Sequence, residues 1–173
     1  PKDIVTHITY DSLGRKAEEY LPYATTTNNG NITTGDVARA TKAFYQAKYA
    51  EDFPNVTAVN EVNAYSKKEF DGSPLNRVLK QAAPGEVWRL RNGHEIEFDY
   101  DANLVAEVKA YKVNVLVTEN TYIPTLIGGD SNYEEGELYK VVTKDENHDG
   151  SLSKLHTTEE FKNKKGQVIL KRS

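Results

Sequence analysis

The chain has 173 residues, with 22 Lys and Arg against 26 Asp and Glu, a formal charge of −4 and a hydrophobic fraction of 38%. That length suits one compact domain with a real core, or a slice of a larger one, while a mean hydropathy of −0.69 points to exposed strand faces and long polar loops. A dedicated nucleic-acid binder would carry a basic stripe, and a membrane span about 18 apolar residues in a row. Disulfides, thiolate zinc sites and cysteine nucleophiles need Cys; none of these features is present.

Pro1 stands first and Met is absent. The start is therefore expected to be trimmed or the chain to be an internal piece, so a missing signal peptide carries no weight on secretion. The 11 Tyr outnumber the 5 Phe and the single Trp88, a bias toward pleated, half-wet surfaces.

The predicted elements begin with a strand over Asp3–Tyr10, where apolar and polar residues largely alternate. Asp11-Ser12-Leu13-Gly14-Arg15 is a tight turn, and Lys16–Leu21 the return strand, so Thr6–Leu21 reads as one hairpin. Thr25–Asn31 is a loop by composition. Thr33 or Thr34 can cap a helix with Asp36 in its first turn. Val37, Ala40, Phe44 and Ala47 then recur near helical spacing, and Phe53-Pro54-Asn55 ends the segment.

Val62–Phe70 reads as a short strand or extended link, Asp71–Pro74 as a turn, and Pro74–Gln81 as a helical turn or a strand. Trp88–Leu90 and His94–Tyr100 are expected to flank an Arg91-Asn92-Gly93 hairpin turn. In the second of these, Ile96, Phe98 and Tyr100 share one face and Glu95, Glu97 and Asp99 the other. Glu107–Thr118 alternates too, Tyr122–Ile127 is irregular or a short strand, and Leu138–Lys144 is a strand. Asp145–Leu155 is a polar loop, and Thr157–Phe161 and Gln167–Arg172 form a last hairpin around Lys165-Gly166. The sum is a mainly β, antiparallel chain with one helix near residues 34–50 and hairpins near 4–21, 88–118 and 138–172.

The sharpest local motif is Asp145-Glu146-Asn147-His148-Asp149-Gly150, the D-x-N-x-D-G half of a calcium loop. Its twelfth position, which should be a bidentate acid, is His156, and no helix pair flanks it; a polar hairpin loop is the plainer reading. His148 and His156 could meet across that loop on a metal, whereas His7 and His94 sit in strand patterns that suit packing. No G-x-S-x-G elbow or phosphate loop is present. Glu18-Glu19 and the row Glu95, Glu97, Asp99 supply paired carboxylates, which a glycosidase holds about 5–10 Å apart in a cleft, but a solvated acidic face is by far the plainer explanation. Tyr20, Tyr23, Tyr45, Tyr49, Tyr65, Tyr111 and Tyr139 could stack sugars, or pack across strands.

A pattern recurs in ITYDSLGRKAEEY (8–20) and TEEFKNKKGQVILK (158–171), and more weakly in EFDYDANLVAEVKAY (97–111). Tyr10 precedes Asp11, Tyr100 precedes Asp101, and Phe161 stands two before Asn163. Gly14 and Gly166 follow three residues after the Asp or Asn, and Arg15 or Gln167 opens the return strand. The aromatic is expected to anchor the outgoing strand, the Asp or Asn to bond amides across the turn, and Gly to accept positive φ. Leu104 stands where the middle copy would need Gly, so that turn should differ.

These stretches resemble the tyrosine–aspartate (YD) repeat of the RHS family, with Phe for Tyr, Asn163 for Asp and Gln167 for Arg in the last copy. SPLNRVLKQAAPG (73–85), NGHEIEFDY (92–100) and TKDENHDGSLSKLHTTEEFKNKKGQVILKR (143–172) are similar to the amino-terminal part of RHS-repeat proteins of Bacteroidota. The resemblance implies a secreted or cell-surface parent whose hairpin strips coil into a β-sheet shell, in several members around a carboxy-terminal toxin. It implies that residues 1–173 are one segment of that shell and that Tyr10, Asp11, Gly14, Arg15, Tyr100, Asp101, Phe161, Asn163 and Gly166 are structural turn residues. It implies no catalytic residue, cofactor or metal. The expected partners are neighbouring repeat segments, with an enclosed toxin domain or secretion machinery beyond them, and no nucleic acid or membrane span. The alternative is an extracellular carbohydrate-binding or adhesion module, calcium-dependent if the Asp145 loop fills.

Overall fold

A computed structural model describes residues 2–26, 29–151 and 153–173. Pro1, Thr27 and Asn28 of the expected loop, and Leu152 in the calcium-like segment, lie outside the described residues. The chain divides into two compact units: residues up to Phe98 with Lys144–His156, and Asp99–Thr143 with Thr157–Ser173.

The first unit contains β1 (Ile4–Val5), β2 (Ile8–Tyr10), β3 (Lys16–Tyr20), β4 (Tyr23–Ala24), helix α1 (Val37–Lys48), β5 (Tyr65–Phe70), β6 (Val78–Ala82) and the start of β7 (Ile96–Ala102). The expected strand Asp3–Tyr10 is two strands. β1 pairs with β4, Val5 opposite Tyr23, while β2 pairs with β3, Ile8 opposite Glu19. The phase slip at Val5 marks the break. The main sheet runs β7-β6-β5-β3-β2, each strand antiparallel to its neighbour. Charges face each other across it: Glu18 opposes and bonds Lys67 at 2.9 Å, and Lys80 opposes and pairs with Glu97.

Helix α1 is the one expected, with a different cap and face. Gly35 at φ +95° turns the chain after Thr34, so Asp36, not Thr33 or Thr34, caps the helix and accepts the Arg39 N–H at 2.9 Å. The inward stripe runs Val37, Thr41 and Tyr45; Ala40 and Ala47 of the expected stripe are exposed. Thr41 is fully buried and returns its hydroxyl to Val37 O. Tyr45 and Val56 close over a core of Phe53, Val62 and Ala64.

Trp88–Leu90 is not a strand. Trp88, Arg89 and Asn92 each donate N–H to a carbonyl three residues back, which leaves no ladder to pair. The expected hairpin over 88–118 is thereby replaced: β7 pairs with β6 and, in the second unit, lies beside β10. Pro74–Gln81 takes its strand alternative as β6.

The second unit holds the end of β7, β8 (Lys109–Thr118), β9 (Thr121–Asn132), β10 (Tyr139–Lys144, up to Thr143), β11 (Thr157–Lys162) and β12 (Val168–Arg172), with sheet order β12-β11-β10-β7. Among the described residues β8 and β9 pair only with each other, as a long two-stranded ribbon. Tyr122–Ile127 is thus regularly paired strand, in the first half of β9. Its turn, Glu119-Asn120, carries positive φ at both residues, 45° and 69°, the type I′ geometry of a tight hairpin. The core is Val108, Leu138 and Phe161, covered by Tyr133, Ile169 and Leu170.

Candidate functional site

The described side chains gather around hairpin turns, and the turns share one closure. In each, the residue ending the outgoing strand is followed by an Asp or Asn whose N–H bonds the carbonyl of the residue opening the return: Asp11 to Arg15, Asp71 to Arg77, Asn163 to Gln167, and over a longer loop Asp145 to His156, all at 2.9–3.0 Å. In the first three, the residue before that carbonyl is left-handed: Gly14 at φ +75°, Asn76 at +56° and Gly166 at +78°. Those three hairpins also share a register shift at the last strand residues, between Thr9 and Tyr10, Glu69 and Phe70, and Phe161 and Lys162. One extra residue on one side of the ladder increases local twist.

The side chains complete the closure. One Asp11 carboxylate oxygen accepts the N–H groups of Leu13 and Arg15, and the other accepts Arg15 Nε at 2.7 Å. The Arg15 N–H above all holds the Asp11 carboxyl below its ordinary pKa. Asn163 repeats this with an amide: its Oδ1 accepts from Lys165 and Gln167, and its Nδ2 donates to Gln167 Oε1. Arg15 also reaches outward, donating to Asp71 O at 3.1 Å and Ser73 O at 3.3 Å above the Phe70 ring. It ties one turn to the next.

Several expected roles shift. Tyr10 is 59% exposed and anchors no core, whereas Phe161 is fully buried. Tyr10 and Phe70 occupy equivalent positions opposite Lys16 and Val78; in the last hairpin that place belongs to Lys162. Phe161 is one residue earlier, which points it to the other face of its strand and into the core. Tyr100 and Asp101 lie within β7 and close no turn, since the strand runs through both to Ala102; Asp101 accepts the N–H of Ala102. The third copy of the motif is instead Phe70-Asp71 with Asn76-Arg77. Its signal was an aromatic before Asp and an Asn-Arg where the others have Gly-Arg or Gly-Gln, masked by a longer loop.

Two further turns, of another form, lie in the second unit. Leu104-Val105-Ala106-Glu107 and Glu134-Glu135-Gly136-Glu137 have the same form: the Glu side chain accepts the first N–H, and the third residue is left-handed, Ala106 at +58° and Gly136 at +75°. Buried Val108 and Leu138 follow them. Asn103 locks the two together; its Oδ1 accepts Leu138 N–H at 2.7 Å and its Nδ2 donates to Glu134 O at 2.8 Å.

Around Phe161 sit four charged groups. Lys140 bonds Glu107 at 2.8 Å and Glu159 at 3.0 Å, and Arg172 bonds both carboxylates. The Lys140 and Arg172 cations lie 5.4 and 5.0 Å from the Phe161 ring centre. Burial alone would raise the Glu159 pKa; the Arg172 and Lys140 bonds outweigh it and bring it to about 2.

The remaining candidates separate. In the calcium-like loop, Asp145 and Asp149 each accept a backbone N–H two residues on, from Asn147 and Ser151, as in ordinary polar turns. Among the described residues no three His, Asp or Glu are grouped to hold a metal ion. His7 packs edge-on to Tyr20, and His94 lies against Trp88. Glu95 is buried beside Lys80, so the acidic row is not simply solvated. The tyrosines make no single platform: Tyr20 contacts Tyr65, with burial pushing the Tyr20 hydroxyl up to about 12, while Tyr45 stacks on Tyr49. No helix among the described residues is long and apolar enough to cross a membrane.

Fold and turns together define a mainly β protein built of antiparallel hairpins. A family model described as a domain of unknown function, DUF6443, matches residues 1–102, more than half of the chain, and the chain belongs to that family. The match ends with β7, so the β8–β9 ribbon lies beyond it. No curated protein matches the chain, and no solved structure does.

Proposed function

We propose that the chain is a non-catalytic structural module of a secreted or surface RHS-type protein, part of a β-sheet shell that encloses or presents a toxin or effector. The observation that carries this reading is the repeated turn closure at Asp11–Arg15, Asp71–Arg77 and Asn163–Gln167. A unit that bends the same way each time, with a bulge at each bend, lets hairpins follow one another edge to edge. β2 and β12 end their sheets as edges, ready to take neighbouring repeat segments. Electron microscopy of the full polypeptide carrying this chain tests the reading: a hollow β-walled particle with these hairpins in its wall supports it, and a string of separate domains opposes it.

A second reading, glycan binding, rests on one place. Trp88 is 39% exposed in a depression of about 440 Å³ with Ser66, Gln81, His94 and Glu146, an aromatic face beside hydrogen-bonding groups. A glycan array probed with the wild-type chain and with Trp88→Ala decides it; binding that survives the substitution removes this site.

A further inference from the structure

The β8–β9 ribbon has one apolar face and two unequal edges, and both follow from its turn. In a two-residue hairpin the flanking pair, here Thr118 with Thr121, is hydrogen-bonded, and pairs then alternate. Val117–Tyr122, Val115–Pro124, Val113–Leu126 and Tyr111–Gly128 therefore aim their backbone groups outward. Proline has no N–H, so Pro124 leaves the outer edge of β9 without a donor at its centre. β8 presents an unbroken outer row: the N–H and C=O groups of Tyr111, Val113, Val115 and Val117. The same four side chains, 51%, 62%, 48% and 60% exposed, share a face with Tyr122, Pro124 and Leu126. No charge interrupts that face. Soluble proteins blunt a long apolar edge of this kind with lysine, proline or a cover; β9 carries its proline, whereas β8 has no proline and its Lys112 alternates onto the opposite face from Tyr111, Val113, Val115 and Val117.

β8 is complementary to itself. Two copies laid antiparallel with Asn114 facing Asn114 place Val113 against Val115 and Tyr111 against Val117 through the outward backbone groups. Lys112 then faces Leu116, so no like charges oppose. We propose that the outer edge of β8 pairs with β8 of a second copy of this chain, giving a four-stranded sheet in the order β9-β8-β8-β9. The contact runs about 33 Å along a ten-residue strand and is one sheet deep. That is well below the roughly 800 Å² per partner of a standard interface, so the dimer is weak and depends on concentration.

Sedimentation equilibrium of the 173-residue chain across the micromolar range reads the association. Val115→Pro keeps the β8–β9 ladder, because the Val115 N–H points outward, and weakens dimerisation about tenfold or more. Leu126→Lys, on the same face but on β9, changes it little. A monomer at every concentration, or an equal loss with Leu126→Lys, overturns the proposal, the latter because it would mean that faces stack. Circular dichroism checks that each variant is folded. Asn114→Cys gives an independent reading, since the chain has no other Cys and Asn114 pairs across the two-fold within disulfide reach. It should oxidise to a covalent dimer far faster than Thr125→Cys on β9; equal rates overturn the pairing.

Discussion

Arg15 lies over the ring of Phe70, its guanidinium carbon 4.5 Å from the ring centre, although the two belong to different hairpins. Through this contact and the carbonyls of Asp71 and Ser73, Arg15 makes the first turn a clamp on the next. Arg15→Ala removes charge-assisted bonds and a cation–π contact and is expected to cost about 2 kcal/mol in urea unfolding followed by Tyr and Trp fluorescence. Arg15→Gln, which copies the residue of the last hairpin, should keep the local closure through Asp11 and lose most of the same stability. An Arg15→Ala variant as stable as wild type removes the clamp.

The left-handed turn residues predict a uniform backbone cost. No atom lies within 4 Å of a Cβ added at Gly14 or Gly166, so Gly14→Ala and Gly166→Ala test φ alone and should each cost about 1 kcal/mol. Asn76→Gly at the matching place should be neutral or slightly stabilising. Thermal melts of the three variants check this, and a tolerated Gly14→Ala would show that the turn adopts another conformation.

The hairpins at the two ends of the chain were legible because Asp-x-x-Gly-Arg and Asn-x-x-Gly-Gln are local chemistry: the groups that close the turn lie within five residues. The Phe70–Arg77 copy was hidden because Asn76 replaces the glycine and the loop is longer. Glu119-Asn120 makes a type I′ turn without Gly, so nothing announced the ribbon, and β9 read as irregular around Pro124. Helix α1 was visible in its alanines, but its inward face is set by Thr41, whose hydroxyl is satisfied by its own helix; periodicity counts such a residue as polar. Tyr100 and Asp101 sit inside β7, whose neighbour in the second unit, β10, follows nearly forty residues later; no local pattern encodes that contact.

Asn103 holds two turns of the second unit with side-chain bonds to Leu138 and Glu134 while almost fully buried. Asn103→Ala strands the buried Leu138 N–H and frees the Glu134 carbonyl, and should cost about 2 kcal/mol. Hydrogen exchange should show faster exchange at the Leu138 amide in that variant. Unchanged exchange there would mean that the turns hold without Asn103.

The charge network over Phe161 predicts acid sensitivity. The Glu159 pKa is about 2 against an ordinary 4.5, and that of Glu107 is also lowered. A depressed carboxyl stabilises the fold above the unfolded-state pKa, so this contribution is intact above about pH 5 and is lost as pH falls from about 4.5 toward 2. Lys140→Met leaves Glu107 and Glu159 facing each other with only Arg172 between, and should cost about 3 kcal/mol at neutral pH. Its destabilisation should shrink as the carboxylates protonate; a penalty constant from pH 7 to pH 3 would place the Lys140 effect in packing rather than charge.

The wall-building account is tested most directly by hydrogen exchange of this chain alone and within the longer RHS-type polypeptide that the account proposes. The account predicts that the outer-edge amides of β2 and β12 exchange rapidly in the isolated chain and are strongly protected in the full polypeptide, where further hairpins pair with them. Equal, rapid exchange in both would show edges that no neighbour ever covers, and would contradict it.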